Sequence, residues 1–303
     1  PSGTSTQSDP LNYDNRAGGT PFVNAFPHIT AGGSFAILWE GYRWMGRQTD
    51  NRWPGTGIGL PVSTDDIIMP PAADIVGELF SDIRDGRSTL PLSVFLLKKA
   101  WFTFQEASIG FFLGSSIGLA LAVLMLRWRV AERGLLPWIN VSQTVPLIAL
   151  APIVVTWGRQ QDLPDIVSIS LISTYLTFFP VAVSALRGLQ SPDAAHVELM
   201  RSYAAPWSST LVKLRLPAAR PYLFPAFKIA ATLSVVGAIV GEISIGTKTG
   251  LGRAILEFAQ RYAVWPERLY ASVIGAAFLG LAVFGLSSLV ERLVLRRTGE
   301  AAV

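Results

Sequence analysis

The sequence predicts an all-α, polytopic membrane protein with about six transmembrane helices. Half of its residues are hydrophobic and only 15% are charged, whereas soluble domains carry about 25% charged residues. The apolar residues form long segments, each near the roughly 20 residues that a helix needs to cross a membrane. Barrel strands alternate over about ten residues, so these continuous segments favour helices. The segments are residues 107–126, 135–157, 164–186, 222–246 and 269–290.

The beginning of the chain is less regular than the rest. Residues 1–27 are rich in Ser, Thr, Asn, Asp, Gly and Pro, which predicts a disordered tail. Residues 28–46 predict a weak first transmembrane segment, because Glu40 and Arg43 directly follow its apolar run. An interfacial or loop segment is the alternative for these residues.

The connection that completes the region 28–94 is expected on the outer side of the membrane. Within it, Ala72–Arg84 predicts an amphipathic helix, because Ile75, Leu79 and Ile83 recur at helical spacing. The membrane core is then expected at residues 95–297, with a polar connection at 187–221 and a C-terminal tail at 298–303.

Several classes of function are disfavoured by what the chain lacks. It has no Cys, so it can form neither disulfides nor thiolate metal sites. Its two histidines, His28 and His196, do not have the spacing of metal ligands. The basic residues are dispersed, which argues against nucleic-acid binding. No catalytic cluster stands out either, so we expect no enzyme activity and no cofactor in this chain.

The distribution of positive charge predicts the topology. If the 187–221 connection is cytoplasmic, the short connections and the tail on that side carry eleven Lys and Arg, and the short connections on the other side carry five. The long outer connection 47–99 is left out of this count, because the charge rule applies to short loops. Cytoplasmic loops are enriched in these residues. We therefore expect the polar connection and both termini to lie in the cytoplasm.

The polar connection has the signals of a short helix. Ser191-Pro192-Asp193 provides a capping residue, a proline suited to the first turn and a negative charge at the positive helix end. We expect a helix over Ala194–Ala205 that ends at Pro206. Ser208 can then cap a second short helix towards Leu216, which Pro217 is expected to break.

This stretch resembles the "EAA" loop of ABC-importer permeases, E-A-A-x3-G-x9-I-x-L-P. Glu198, Leu216 and Pro217 match the pattern; Leu199 and Met200 replace the two alanines, Ala204 replaces the glycine and Leu214 replaces the isoleucine. In that family the loop forms a short helix that docks onto a separate ATPase subunit. The resemblance implies ATPase coupling by Glu198, Leu199, Met200, Arg201, Ala204, Leu214, Leu216 and Pro217.

Other stretches resemble the nitrate/sulfonate/taurine/bicarbonate-type branch of these permeases. They are Ala107 to Phe111, Thr144 to Pro152 followed by Trp157-Gly158, Gly241-Glu242, and Gly250-Leu251-Gly252. Together with the EAA-like loop they cover about residues 95–295 in the expected order.

The resemblance implies a type I ABC-importer permease of MetI-like architecture in the inner membrane. Its implied partners are a second permease copy as a homodimer, an ABC ATPase that holds ATP and Mg, an extracytoplasmic substrate-binding protein and membrane lipid. The implied cargo is a small polar or anionic solute.

The translocation path is expected along the 135–157 segment. Pro146 and Pro152 interrupt this helix and free carbonyl groups that can line a cavity, and Gln143 and Thr144 add polar side chains. An ordinary kinked packing helix is the alternative. Glu242 is a further candidate for the path, because an acidic group this deep in a span usually faces a cavity or a partner. Its alternatives are a hydrogen-bonded packing role or exposure at the interface.

Two rival functions remain open from the sequence. An ion-coupled secondary transporter would use Glu242 or Glu106 as a proton site, but it more often shows an internal repeat, and none is visible. An integral-membrane enzyme would need a polar catalytic cluster.

Overall fold

The computed structural model describes residues 27–53, 58–85, 88–246 and 249–297. The predicted tails lie outside these residues, apart from Pro27. The chain divides into two compact units, residues 1–72 and 73–303.

The first unit contains helix α1 (Pro27–Gln48) and the segment that returns along it. Arg43 is buried and bonds both Glu40 (3.0 Å) and Asp66 (2.7 Å). Partial desolvation raises the pKa of Asp66, but its hydrogen bonds from Arg43 and Arg47 outweigh this effect and hold the pKa below its usual value. Arg43, one of the two charged residues that follow the apolar run of α1, therefore binds the segment after this helix through Asp66. Helix α1 is not among the described helices apolar enough to cross a membrane, so its role as a first span stays a prediction.

The boundary between the units falls after the first residue of α2 (Ala72–Glu78), and the second unit continues with a hairpin of β1 (Asp82–Asp85) and β2 (Ser88–Pro91). The predicted amphipathic helix to Arg84 is therefore wrong beyond Glu78. The strands are antiparallel, with Ile83 opposite Leu90, and this pairing satisfies backbone groups that a short exposed helix would leave to water. The apolar residues of the predicted stripe still share one cluster with the start of the first long helix, although only the first of them is helical.

The rest of the unit is helical. Its elements are α3 (Leu92–Arg127), α4 (Arg129–Ser142), α5 (Leu147–Gln160), α6 (Asp165–Gln190), α7 (Ala194–Ser202), α8 (Trp207–Thr210), a π-helical turn (Leu211–Arg215), α9 (Leu216–Ile245), α10 (Leu251–Gln260) and α11 (Pro266–Arg297).

Four helices of the described chain are long and apolar enough to span a membrane: α3, α6, the continuous helix 207–245 and α11. A fifth span is possible if the pair α4–α5, which is bent by 100°, counts as one. The predicted helix 135–157 is thus broken between Ser142 and Leu147. The Thr144 hydroxyl donates to the Val141 carbonyl (2.8 Å), and Pro146 has no backbone N–H with which to continue the helix.

Helices α3, α6 and α9 form the centre of the bundle, and small residues set their spacing. A Cβ added to Gly114 would lie 2.9 Å from the Thr174 carbonyl oxygen, and one added to Gly237 would lie 2.8 Å from the Ser173 Cα. The Ser173 hydroxyl donates to the Ser234 carbonyl (3.0 Å). Such close backbone approach is typical of helix pairs in membranes.

Candidate functional site

The connection between α6 and α9 carries the predicted coupling residues on α7. None of the side chains of α7 is buried. Leu199 is 53% exposed and Tyr203, one turn later, is 76% exposed. An apolar stripe therefore faces outward from this short helix.

Helix α7 ends at Ser202, which is earlier than the predicted Ala205. Ala204 has a left-handed backbone (φ 50°), and its N–H donates to the Arg201 carbonyl (2.8 Å) while the Ala205 N–H donates to the Met200 carbonyl (3.0 Å). These two bonds form a Schellman motif, whose left-handed position is usually a glycine. Ala204 occupies the position at which the EAA pattern has its glycine.

The second half of the segment is anchored to the bundle. The Arg215 guanidinium donates to the Leu189 carbonyl at the end of α6 (2.7 Å). Leu216 packs against the buried cluster formed by α3, α4, α6 and α9, and Leu214 is half-buried. The predicted coupling residues thus divide into an exposed group on α7 and its cap, and an anchoring group at the start of α9.

Pro217 does not break a helix, contrary to the prediction. It occupies the first turn of α9, where the missing N–H would have no intrahelical partner in a free helix. The π-helical turn just before it keeps the chain helical, and one helix continues from Trp207 to Ile245.

A second polar group surrounds Glu242 inside the bundle. Glu242 is fully buried (0% exposed) and accepts hydrogen bonds from the Thr103 hydroxyl (2.6 Å) and the Gly252 N–H (2.5 Å). The Thr103 oxygen accepts a hydrogen bond from the Leu251 N–H (2.9 Å). Because the first N–H groups of a helix have no partner within it, Glu242 and Thr103 together cap the start of α10.

The glycines at the start of α10 fit this arrangement. Gly250 has φ 92°, which only glycine adopts readily, and a Cβ on Gly252 would overlap the Ile239 carbonyl oxygen. Glu106 is also buried, and among the described residues its Oε2 has no hydrogen-bond partner.

The family is decided by a comparison of sequences. The sequence model of the family described as "binding-protein-dependent transport system inner membrane component" matches residues 112–299. The chain belongs to this family.

Curated relatives and solved structures agree with this membership. The chain is 32% identical over 195 residues to the formylaminopyrimidine transport permease protein ThiX of Halalkalibacterium halodurans, covering 64% of this chain and 74% of the relative. It is 27% identical over 194 residues to the putative aliphatic sulfonates transport permease protein SsuC of Bacillus subtilis, covering 64% and 68%.

The fold resembles that of the methionine ABC transporter MetNI in an inward-facing form, with a TM-score of 0.57 and 17% identity over 68% of this chain and 99% of that one. An amino acid ABC transporter gives a TM-score of 0.54 with 18% identity over 66% and 94%. The predicted all-α, MetI-like architecture is confirmed, and the chain is a multi-pass permease subunit of an ABC importer of the inner membrane.

In this permease, the predicted path residues do not lie together. Gln143, Thr144 and Pro146 are exposed in the break between α4 and α5, and Pro152 lies on the exposed face of α5. Glu242, by contrast, is enclosed against α3 and α10. Their role in the path stays a prediction for all five residues.

Sequence reasoning missed several residues that the structure places at these sites. Thr103 caps α10 from a distant helix, and no local pattern announces that contact. Arg215 anchors the π-helical turn, which a pattern of apolar residues does not reveal. Thr156 donates its hydroxyl to the Pro152 carbonyl (2.8 Å), and its spacing of four residues from that proline was a usable signal.

Proposed function

We propose that this permease takes mechanical work from a separate ABC ATPase through the loop Glu198–Pro217 and moves a small polar or anionic solute delivered by a binding protein. ATP and Mg would be held by the ATPase, and this chain would supply no catalytic group. The observation that carries the proposal is α7, a nine-residue helix with no buried side chain.

A helix of this length has little stability of its own in water. Leu199 on the helix and Tyr203 just after it gain a stabilising contact only when a partner covers them, and full burial of one leucine contributes about 1.5–3 kcal/mol. A peripheral subunit on the cytoplasmic side is the partner that the family resemblance implies. The outward apolar stripe supports this choice.

The anchoring group explains how a pull on α7 can reach the membrane helices. Arg215 holds the π-helical turn to the end of α6, and Leu216 packs on the bundle. A displacement of α7 would therefore move the beginning of α9 together with the end of α6, as a rigid-body change rather than a local one.

We infer the translocation path from the exposed face of α5 and from the break between α4 and α5. We assign Gln143, Thr144, Pro146 and Pro152 to its wall, because they are exposed in a subunit expected to work as a homodimer. We assign Glu242 to holding the start of α10 in place, since its carboxylate already accepts hydrogen bonds from the Thr103 hydroxyl and the Gly252 N–H. Family membership leaves no need for ion-coupled transport through Glu242 or Glu106.

The cargo is proposed only as a chemical class. The relatives are named for formylaminopyrimidine and aliphatic sulfonates, which are small and polar but chemically different. A ligand screen on the cognate binding protein would identify the solute.

Leu199→Glu tests the coupling role. We expect the variant to fold normally, to bind the ATPase about 10- to 100-fold more weakly and to lose ATP-dependent uptake. The measurements are ATPase binding to the purified permease and uptake in proteoliposomes containing the complete transporter. Val264→Glu is the matched control, because Val264 is 65% exposed in the connection between α10 and α11. Normal coupled uptake by Leu199→Glu would refute the proposal.

A further inference from the structure

A polar cavity of about 800 Å³ lies between the α3–α4 corner, the end of α6 and the coupling segment. Arg129, Arg133, Arg201 and Arg215 line it, and Glu132 is its one acidic residue. It is distinct from the proposed path and from the Glu242 site.

The positive charge of this cavity is largely uncompensated. Glu132 accepts a hydrogen bond from Gln190 (2.9 Å) and can balance one of the four guanidinium groups. Arg129, Arg133 and Arg201 are exposed, and none of the ion pairs in the described ranges involves them. Guanidinium groups bind phosphate oxygens through paired hydrogen bonds, so the cavity is suited to a phosphate-bearing anion.

The position of the cavity indicates whether that anion is a lipid headgroup or a free phosphate. Leu126 lies in the last turn of α3 and Gln190 is the last residue of α6, and both helices are candidate spans. The ends of spanning helices lie at the level of the lipid headgroups. A basic cavity between such ends is typical of a site for anionic lipid.

Helix α4 supplies the apolar side of the same site. Its residues Leu136 and Pro137 line the cavity together with Leu126. Trp128, just before α4, and Trp138 within it are exposed, as expected of aromatic residues at a membrane surface. A free phosphate would make no favourable contact with this apolar wall, whereas a lipid acyl chain would.

We propose that the cavity binds the headgroup of an anionic phospholipid, with the phosphate on the arginines and an acyl chain along Leu126, Leu136 and Pro137. Arg201 belongs to α7 and Arg215 to the π-helical turn, so the bound lipid would connect the membrane surface to the coupling segment. That last consequence rests on the proposed coupling role, whereas the binding itself does not.

The test measures lipid binding to the purified full-length permease without ATPase, by native mass spectrometry. The probes are phosphatidylglycerol, phosphatidylcholine with the same acyl chains, and inorganic phosphate. We expect a clear preference for phosphatidylglycerol, and about 30-fold weaker binding of it by Arg129→Gln/Arg133→Gln, because each basic residue near an anionic headgroup strengthens binding by about fivefold.

The matched control is Arg187→Gln/Arg292→Gln, which removes two exposed arginines near the ends of α6 and α11 that do not line the cavity. It should keep the preference. Should the first double variant fold poorly in a thermal unfolding assay, Arg133→Gln alone serves, with about fivefold weaker binding expected. Equal binding of the two lipids, equal loss in the control, or displacement of the lipid by millimolar inorganic phosphate would each overturn the proposal.

A protein occupant is tested by adding the ATPase to the same samples. Retention of bound phosphatidylglycerol in the complex supports the lipid assignment. Complete release of the lipid by the ATPase, with ATPase binding lost in Arg129→Gln/Arg133→Gln, would assign the cavity to the partner protein instead. Normal coupled uptake by Leu199→Glu, with the preference for phosphatidylglycerol intact in the unmodified permease, would refute the proposed function and leave the lipid site standing. Loss of coupling in Leu199→Glu, with no preference for phosphatidylglycerol in the unmodified permease, would refute the lipid site alone.

Discussion

The coupling helix α7 and the Glu242 site both match short fragments of one family pattern, but their side chains lie in opposite environments. Every residue of α7 is at least partly exposed, whereas Glu242 is fully buried and hydrogen-bonded within the subunit. A substitution on α7 should therefore change what the subunit can bind, and a substitution at Glu242 should change whether the subunit holds together.

The same contrast exists within the coupling loop itself. The groups near Glu198 face outward, and those near Leu216 pack on the bundle. A motif of twenty residues thus contains a contact surface followed by an anchor. The order makes physical sense, because a surface without an anchor would move freely and transmit no force to the spans.

The largest effect on stability is expected at Glu242, the buried member of this comparison. Glu242→Ala would leave the Gly252 N–H and the Thr103 hydroxyl without their partner in a space closed to water. Each buried polar group left unpaired costs about 1–3 kcal/mol, so we expect the two groups together to lower the free energy of unfolding by about 2–6 kcal/mol. The measurement is denaturation in mixed micelles, followed by the circular dichroism of the helices.

Glu242→Gln is the control for that experiment, because the amide keeps an acceptor oxygen. It should retain more than half of the lost stability. A different result would favour the translocation path: normal stability of Glu242→Ala together with abolished uptake would mean that the carboxylate meets the solute rather than bracing α10.

An intermediate effect is expected at the anchor. Arg215→Ala removes the hydrogen bond to the Leu189 carbonyl, and such bonds from charged groups contribute about 1.5–3 kcal/mol. We expect faster amide hydrogen exchange across residues 211–216, and ATP hydrolysis that is no longer matched by uptake.

Lys213→Ala is the matched control for Arg215→Ala, because Lys213 lies in the same π-helical turn and is exposed. It should leave exchange and uptake near their normal values. If both variants behave alike, the bond from Arg215 does not hold the segment in solution.

Much of the fold was predictable because hydrophobic length is a local property of the chain. The segment 269–290 falls inside α11, and the segments 164–186 and 222–246 fall inside α6 and α9 apart from the capping residues Pro164 and Gly246. The interruption of the 135–157 segment at Pro146 was predicted, but the 100° bend between α4 and α5 was not, since a proline alone does not fix whether a helix kinks or turns sharply. The hairpin after α2 was missed for a similar reason, because alternation and helical periodicity coincide over so short a stretch.

The candidate sites were predictable only where a motif existed. Glu198 and its neighbours were found through spacing, and Gly250 and Gly252 through a fragment of the family pattern. The contact of Thr103 with Glu242 joins residues 139 positions apart, so nothing local encodes it. The cationic cavity was missed likewise, because its arginines come from two separate stretches of the chain, α4 and the 187–221 connection, that only the packed helices bring together.

The smallest effect is expected at the cap of α7, where the sequence departs from its family pattern. Ala204 has φ 50°, and a left-handed backbone costs an alanine about 1 kcal/mol more than a glycine. Ala204→Gly should therefore stabilise the helix end by that amount and slow amide exchange at residues 204 and 205 about fivefold. Ala195→Gly lies inside the same exposed helix, where glycine costs about 0.5–1 kcal/mol, so it should speed exchange instead. Faster exchange in both variants would show that the Schellman bonds do not persist in the free subunit, and that the partner alone imposes the turn.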